Sequence, residues 1–330
     1  MKIVIADPNL HAVRAELERA LPSGARPSWH GTADPAAVTA DLADAEVFVG
    51  SRFTAAMADA APRLRLVQVA GAGVDGVDAA ALPEGVRVAN TYHHEDSIAE
   101  YVVATAVTLR RGLARQDAAL RGGRWASPVH DRSLPQPRAL TGARVGFLGF
   151  GHIGARTWEL LRAFRAVGAA VTRTGTVDAA ATGLEWAGDL SGLDRLLTES
   201  ELLVVSVPLD GRTRGMIAAR ELALLGPEAV LVNVGRGPVV DEHALYAALR
   251  DRRLAGAAID VWYRYPAPGG DPAAAVPPAT APFHELDTVL MTPHISGVTR
   301  DTFLGRAADI AANITRLSAG EPLRNVVEAR

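Results

Sequence analysis

The chain has 330 residues, of which 48% are hydrophobic and 22% are charged, and its formal net charge is −3. This composition is typical of a globular protein with room for two cores, and the charge gives no field that would attract nucleic acid or an anionic membrane. The chain has no cysteine, which excludes disulfides, thiolate catalysis and cysteine-based zinc sites and favours a cytoplasmic location.

The first hundred residues alternate short β-branched segments with helical patterns. Strand character is found at 2–6, 46–50, 64–70 and 86–90, and helical patterns at 10–20, 35–43 and 54–61. Strands that alternate with helices predict a parallel sheet covered on both faces. The N-terminal run is stopped by Asp7 and Pro8, and no run of about 18 apolar residues follows, so neither a signal peptide nor a membrane span is expected.

Residues 95–120 predict one long amphipathic helix, with Asp96 or Ser97 as its N-cap. The Pro-rich segment 127–142 predicts a loop that leads from this helix into a second series of strands. That series lies at 144–150, 169–174, 202–208, 229–234, 256–262 and 288–293. Two such series predict two α/β domains.

The C-terminal part contains one low-complexity stretch, 266–282, whose composition predicts an exposed loop. A last helix is expected at about 301–318, ending at Gly320. No strand is expected after it, so we expect this helix to return and pack on the first domain.

A glycine-rich turn opens the second series. Gly149, Gly151 and Gly154 give G-x-G-x-x-G directly after a strand and directly before a helix. The glycines permit a tight turn and close approach of the backbone to a pyrophosphate, which the helix N-terminus attracts. In that context the motif predicts dinucleotide binding. The alternative is a tight turn without a ligand.

The end of the next strand lacks the acid that usually holds the ribose hydroxyls of NAD. Thr174, Gly175 and Thr176 stand there, and Asp178 comes late. Without this acid a 2′-phosphate is not repelled, and Arg173 has the charge to attract one. NAD and NADP both stay open as cofactors.

Two polar residues follow strands of the second series. Arg236, in "NVGRGPVVDEHAL", is expected at the carboxyl edge of the sheet, where its fork suits a carboxylate, unless it pairs with Asp241. His294, in "TPHISG", is the histidine best placed for acid–base chemistry, unless it is a packed side chain. His93 and His94 line the same cleft or are solvated, and no third ligand predicts a metal site.

These segments, in this order, resemble the D-isomer-specific 2-hydroxyacid dehydrogenases. The quoted motifs are "GAGVDGVD", "GFGHIG", "SVPLDGRTRGMI", "NVGRGPVVDEHAL", "AAIDVW" and "TPHISG". The resemblance implies two Rossmann-like domains of the α/β class. These are a discontinuous flavodoxin-like substrate domain at 1–96 plus 296–330 and a doubly wound NAD(P)-binding domain at 97–295, with a linker helix at 97–118. It also implies a homodimer formed through the cofactor domain.

The resemblance further implies hydride transfer between a nicotinamide cofactor and a small 2-hydroxy or 2-keto acid. Arg236 matches the residue that polarises the keto group, and His294 matches the acid–base residue. Substrate contacts are expected at Ala72, Gly73, Val74, Arg52 and His94. Asp260 and Gly297 match positions that bind the nicotinamide carboxamide. The full set of expected cofactor contacts is Gly149, Gly151, His152, Ile153, Gly154, Arg173, Thr174, Val207, Pro208, Thr213, Val234, Gly235, Asp260 and Gly297.

One position departs from the family pattern. Where most members have a glutamate hydrogen-bonded to the catalytic histidine, this chain has Tyr265. A carboxylate raises the pKa of a histidine, whereas a phenol stays neutral at physiological pH. We therefore expect His294 to lose its proton more easily and reduction at neutral pH to suffer relative to oxidation. Glu95, Asp96 or Glu285 would have to replace the missing acid in space.

Two alternatives follow from this departure. The region around "DVWYRYPAP" is also similar to the formate dehydrogenase branch, so oxidation of a formate-, aldehyde-hydrate- or phosphonate-type anion is a second hypothesis, with Arg264 suited to an extra anionic group. A third hypothesis is a catalytically weak, dinucleotide-sensing protein of the co-repressor type. The presence of both Arg236 and His294 favours the enzyme.

Overall fold

A computed structural model describes residues 1–31, 35–267 and 274–327, which form two compact units. The first unit comprises the described residues within Met1–His93, Pro266–Ala274 and Val298–Arg330. The second comprises those within His94–Tyr265 and Ala275–Gly297. The domain boundaries 1–96, 97–295 and 296–330 stay a prediction.

The strands of the described residues are β1 (Lys2–Ile5), β2 (Arg26–Trp29), β3 (Val47–Val49), β4 (Leu66–Gln68), β5 (Arg87–Ala89), β6 (Arg144–Leu148), β7 (Val167–Val171), β8 (Trp186–Gly188), β9 (Leu202–Val205), β10 (Val230–Asn233), β11 (Gly256–Ile259), β12 (Val289–Met291) and β13 (Val326–Val327). The α-helices are α1 (Arg14–Ala20), α2 (Pro35–Asp41), α3 (Ala55–Asp59), α4 (Glu95–Arg111), α5 (Leu113–Arg121), α6 (His152–Arg162), α7 (Ala179–Thr182), α8 (Leu193–Glu199), α9 (Ala219–Leu225), α10 (Glu242–Arg250) and α11 (Arg300–Ala319).

The first unit is built on a six-stranded sheet with the order β13-β5-β4-β3-β1-β2. Its strands are parallel except β13, which runs antiparallel to β5 with Val326 opposite Ala89. Apolar residues of α1 and α11 cover one face of the sheet and those of α2 and α3 the other. The 2-1-3-4-5 order of the first five strands is the flavodoxin-like order, which confirms the predicted fold class.

The second unit is built on a seven-stranded parallel sheet with the order β12-β11-β10-β9-β6-β7-β8. Its central strands are buried on both sides, so they are almost wholly apolar; β9 reads Leu-Leu-Val-Val. The strand order reverses between β6 and β9, and open α/β sheets bind ligands outside the carboxyl ends of strands at such a point. The predicted doubly wound domain is therefore confirmed.

The predicted single helix over 95–120, and with it the linker helix at 97–118, is wrong in its limits. Gly112 adopts a left-handed conformation, with φ +64°, and separates α4 from α5. Glycine adopts this conformation without the strain that a side chain would meet, and such a residue ends helices. The N-cap is His94, since the helix begins at Glu95 rather than after Asp96 or Ser97.

The C-terminal region differs from expectation at two places. The last helix, α11, packs on α1 as expected, but a strand, β13, follows it. Asn313 fixes this return, because it donates to Gln68 Oε1 at 2.8 Å and accepts from Arg324 N at 2.8 Å. Part of the predicted loop, 268–273, lies outside the described residues. In the rest of it residues 266–267 and 274–277 are exposed as predicted, whereas Ala279 and Ala281 are buried.

Across the described residues, no helix is both long and apolar enough to cross a membrane.

Candidate active site

A cavity of about 440 Å³ lies at the carboxyl ends of β6, β7 and β9. The glycine-rich turn shapes it. Gly149 has φ +94°, and an added Cβ there would lie 2.9 Å from Val207 Cγ1. An added Cβ on Gly154 would lie 2.7 Å from Gly149 O. A Cβ on Gly151 would meet nothing within 4 Å, so the middle glycine leaves the turn open, and the start of α6 at His152 and Ile153 follows it.

Several predicted cofactor residues line this cavity beside the glycines, namely Arg173, Thr174, Val207, Pro208 and Thr213. The cavity also contains Thr176 and residues that the sequence interpretation missed: Thr172, Leu190, Ser206, Asp210, Arg212 and Met216. Four of these, Ser206, Asp210, Arg212 and Met216, belong to the "SVPLDGRTRGMI" segment, from which only Val207, Pro208 and Thr213 were predicted as contacts. Open glycine backbone, hydroxyls and a guanidinium are a donor set that fits a nicotinamide dinucleotide.

The loop after β10 holds Arg236 in a fixed backbone conformation. The buried Asn233 accepts from Gly235 N at 3.1 Å and donates to Arg236 O at 3.2 Å. Two glycines let this loop approach its neighbours, because an added Cβ on Gly235 would lie 2.7 Å from Val207 O and one on Gly237 would lie 2.4 Å from Trp262 O. Asp241 caps α10 through Ala244 N. The backbone of this loop therefore fixes the position of Arg236, which lies at the carboxyl edge of the sheet as predicted.

Asp260 follows β11 and is completely buried. Its Oδ1 accepts from Thr292 Oγ1 at 2.6 Å and from Ile295 N at 2.9 Å. Its Oδ2 accepts from Ser296 N at 3.0 Å and from Ser296 Oγ at 2.5 Å. Both carboxylate oxygens therefore bind the segment 292–296, a role that the sequence interpretation missed because these partners lie more than thirty residues further along. The expected nicotinamide contact of Asp260 stays a prediction.

His294 lies inside the segment that Asp260 holds. Its φ is +58°, a left-handed conformation that costs a non-glycine residue of order 1 kcal/mol. The neighbouring bonds compensate: His294 N donates to Thr292 O at 3.0 Å, and Trp262 Nε1 donates to the same oxygen at 2.8 Å. The imidazole is thus presented by a turn whose backbone is fixed on both sides.

Tyr265 contacts His294. Its Oη lies 3.1 Å from His294 Nδ1 and accepts from Trp262 N at 3.0 Å. The phenol therefore makes the contact with the histidine that the resemblance assigns to the missing glutamate. Asp96 does not replace that acid, because it pairs with Arg156 at 2.5 Å.

The electrostatic environment favours a neutral imidazole. Burial by the surrounding protein lowers the pKa of His294, the negative charge of Asp260 opposes this, and the positive charge of Arg236 adds to it. The pKa of His294 is therefore lowered, with burial as its first cause; that His294 loses its proton more easily than in relatives with the glutamate stays a prediction. Burial also raises the pKa of Tyr265, against the effects of Trp262 N–H and Arg236, so the phenol is protonated at neutral pH.

The remaining predicted residues fall in both units. Gly297 packs on His94 in the second unit, where an added Cβ would lie 3.2 Å from His94 Cβ. Val234 is buried. In the first unit Ala72, Gly73 and Val74 form the loop after β4, where Asn90 Nδ2 donates to Ala72 O at 2.8 Å.

Two further predicted residues also lie in the first unit. Arg52 lines a separate cavity there. His93 pairs with Asp309 at 2.8 Å. No cluster of three potential metal ligands occurs in the described part of the chain.

Comparisons with known proteins identify the family. Residues 103–296 match the family described as D-isomer specific 2-hydroxyacid dehydrogenase, NAD binding domain. The glyoxylate reductase of Aeropyrum pernix is 32% identical over 274 residues, which cover 81% of this chain and 77% of that protein. The chain belongs to the D-isomer-specific 2-hydroxyacid dehydrogenase family. It is therefore an NAD(P)-dependent oxidoreductase acting on the CH–OH group of hydroxy acids, which confirms the predicted activity class.

Two further relatives extend the comparison. A D-3-phosphoglycerate dehydrogenase of Methanocaldococcus jannaschii is 29% identical over 293 residues, which cover 87% of this chain but 52% of that protein. The chain thus spans about half the length of this relative. The structure of an NADPH-dependent glyoxylate/hydroxypyruvate reductase from Sinorhizobium meliloti, in complex with NADP and malonate, has a TM-score of 0.78 and 28% identity and covers 99% of this chain and 97% of that one.

Proposed function

We propose that the protein reduces a small 2-keto acid of the glyoxylate or hydroxypyruvate type with NADPH. The observation that carries this proposal is the placement of Arg236 and His294 at one sheet edge, in the same unit as the glycine-rich cavity. Both residues follow strands of the same parallel sheet, β10 and β12, and the charge of Arg236 contributes to the lowered pKa of His294. The names of the reductases from Aeropyrum pernix and Sinorhizobium meliloti support this substrate class.

The chemistry divides between the cofactor and two side chains. When bound, the nicotinamide cofactor supplies the hydride that reduces the carbonyl carbon. Arg236 binds the substrate carboxylate and polarises the keto oxygen with its planar fork of donors. His294 directs its outer nitrogen, Nε2, to the same oxygen and transfers the proton. The expected roles of Ala72, Gly73, Val74, Arg52 and His94 toward the substrate stay predictions.

The choice of NADPH rests on the end of β7. Arg173 is exposed, lines the cavity, and makes no ion pair within the described residues. Thr174 Oγ1 and Thr176 Oγ1 lie 3.0 Å apart beside it, in a turn fixed by the bond from Gly175 N to Thr172 Oγ1. These groups offer one positive charge and two hydroxyls to a 2′-phosphate. Asp210, an acidic residue that lines the same cavity, accepts hydrogen bonds from Arg212 N and Thr213 N.

Arg236→Ala is expected to lower kcat/KM for glyoxylate by roughly 100- to 1,000-fold, because the substrate carboxylate and keto oxygen lose the guanidinium that binds them. NADPH binding, measured by fluorescence titration, is expected to stay within about twofold of wild type. Arg250→Ala, on the outer surface of α10, is the matched control. Comparable loss of cofactor binding would contradict the assignment. Cofactor binding without turnover of glyoxylate or hydroxypyruvate with NADPH, or of formate or a phosphonate with NADP+, would identify a dinucleotide sensor instead.

Arg173→Ala is expected to raise the Kd of NADPH by roughly 10- to 100-fold, since a charge-assisted bond to phosphate contributes about 1.5–3 kcal/mol. The Kd of NADH should change less than about threefold. Isothermal titration calorimetry measures both, with Arg195→Ala on α8 as the control. Equal weakening of NADPH and NADH would show that Arg173 does not read the 2′-phosphate.

We propose that the protein forms a homodimer through the second unit, with the segment 113–129 at the interface. Large apolar side chains of this segment are exposed: Leu113 41%, Leu120 50%, Trp125 64% and Val129 81%. Within α5 only Ala119 is buried, so most of the surface of this helix is open to solvent. Exposed apolar patches of this kind mark protein interfaces, and a tryptophan is typical of their centre.

Trp125→Glu and Val129→Glu are each expected to convert the protein from dimer to monomer, because a buried unpaired charge disfavours association. Light scattering coupled to size-exclusion chromatography measures the mass. Val276→Glu, another exposed valine of the same unit, is expected to stay dimeric. A dimer that persists in both test variants would place the interface elsewhere.

A further inference from the structure

Within the described part of the chain, the phenol oxygen of Tyr265 has two hydrogen-bonding neighbours with different capacities. Trp262 N carries a hydrogen and can only donate, so at 3.0 Å the phenol oxygen accepts from it. His294 Nδ1, at 3.1 Å, can donate or accept. The two rings lie 5.7 Å apart and are tilted by 53°, so the contact is made through these atoms and not by stacking.

The direction of the second bond follows from the single hydrogen of the phenol. One lone pair of Oη already accepts from Trp262 N, so the phenol O–H is free to point at His294 Nδ1. The neutral imidazole that this environment favours has one acceptor nitrogen. Tyr265 Oη–H therefore donates to His294 Nδ1, and the ring proton of His294 is left on Nε2.

A carboxylate in this position would have the opposite effect. It has no hydrogen, so it accepts from Nδ1–H and leaves a neutral histidine with a bare Nε2. The phenol instead gives a neutral histidine with Nε2–H, which is a donor toward the substrate.

We propose that Tyr265 is a positioning residue that sets the Nε2–H tautomer of His294 and replenishes its proton during reduction. This proposal rests on the proposed function. As hydride reaches the carbonyl carbon, the keto oxygen takes the proton from Nε2, and its O–H bond forms as the N–H bond breaks. The Oη–H bond of Tyr265 breaks as a new N–H bond forms on Nδ1. The products are the hydroxy acid, a neutral histidine in the other tautomer and a tyrosinate.

Two groups beside Tyr265 favour that negative charge, whereas burial, the larger effect, disfavours it, so the tyrosinate is short-lived. Trp262 N–H donates to the oxygen and Arg236 supplies a positive charge, while burial and Asp260 oppose it. The side chain is 49% exposed, so water can return the proton. Reduction then does not require an imidazolium. The phenol of Tyr265 is a proton source that the sequence interpretation did not include.

The pH dependence of kcat for reduction tests the proposal. The pKa of Tyr265 is raised above its usual value, so the proton reservoir is full from pH 6 to 9 and the wild-type rate should be flat there. Tyr265→Phe should lower kcat by roughly 100-fold with KM changed less than about threefold. Tyr265→Glu should regain activity at low pH, with a rate that falls as His294 loses its proton at a raised pKa.

Tyr263→Phe is the matched control, because Tyr263 is in the same loop but donates to Val240 O. Its profile should keep the wild-type shape. A Tyr265→Phe enzyme with wild-type kcat and profile, or a wild-type rate that falls between pH 6 and 8, would overturn the proposal.

A measurement without turnover separates this proposal from the proposed function. ¹⁵N NMR of histidine-labelled protein, with His294→Gln to assign the resonance, reports which ring nitrogen carries hydrogen. Wild type should show the Nε2–H form, and Tyr265→Phe should show a mixture. A wild-type Nδ1–H form would refute the tautomer assignment even if the keto acids are reduced. The Nε2–H form in a protein that reduces none of them would refute the proposed function alone.

Discussion

Both oxygens of the Asp260 carboxylate are used within one short segment of the chain. They accept from the hydroxyls of Thr292 and Ser296 and from the backbone N–H groups of Ile295 and Ser296. A buried carboxylate needs such partners, because an unpaired charge away from water is costly. The end of β11 is thereby tied to the segment that carries His294, and the position of the imidazole depends on this tie.

The same tie reaches α4. The Thr292 hydroxyl donates to Asp260, so Tyr101 Oη, 2.8 Å from Thr292 Oγ1, is the donor in that contact. Burial raises the pKa of Tyr101 to about 12, and the charge of Asp260 acts in the same direction, so this phenol keeps its proton. Helix, strand and turn form one hydrogen-bonded chain, which accounts for a histidine held at φ +58°. In parallel, Trp262 orients both Thr292 and Tyr265 through its two N–H groups.

Structural features that are encoded by local sequence patterns were predictable from the sequence. Gly149, Gly151 and Gly154 follow a strand and precede a helix, and Arg236 and His294 each follow a strand, so parallel-sheet geometry places them at one edge. Elements of two to four residues, such as β2, β8 and β13, are too short for periodicity to show. Glycine at 112 is compatible with a continuous helical pattern, so its left-handed conformation was not visible. The bonds of Asp260 and Tyr265 join residues about thirty positions apart, and no local pattern encodes such pairs.

Asp260 holds the turn that presents His294, and kcat for keto-acid reduction by an Asp260→Asn variant tests this role. The amide would turn one N–H donor toward the Ser296 N–H, so the turn should lose that bond and the imidazole should shift. Displacement of a catalytic group by about 1 Å costs roughly 100-fold in rate. We expect a fall of about this size in a variant that stays folded. A folded Asp260→Asn enzyme with kcat within twofold of wild type would contradict it.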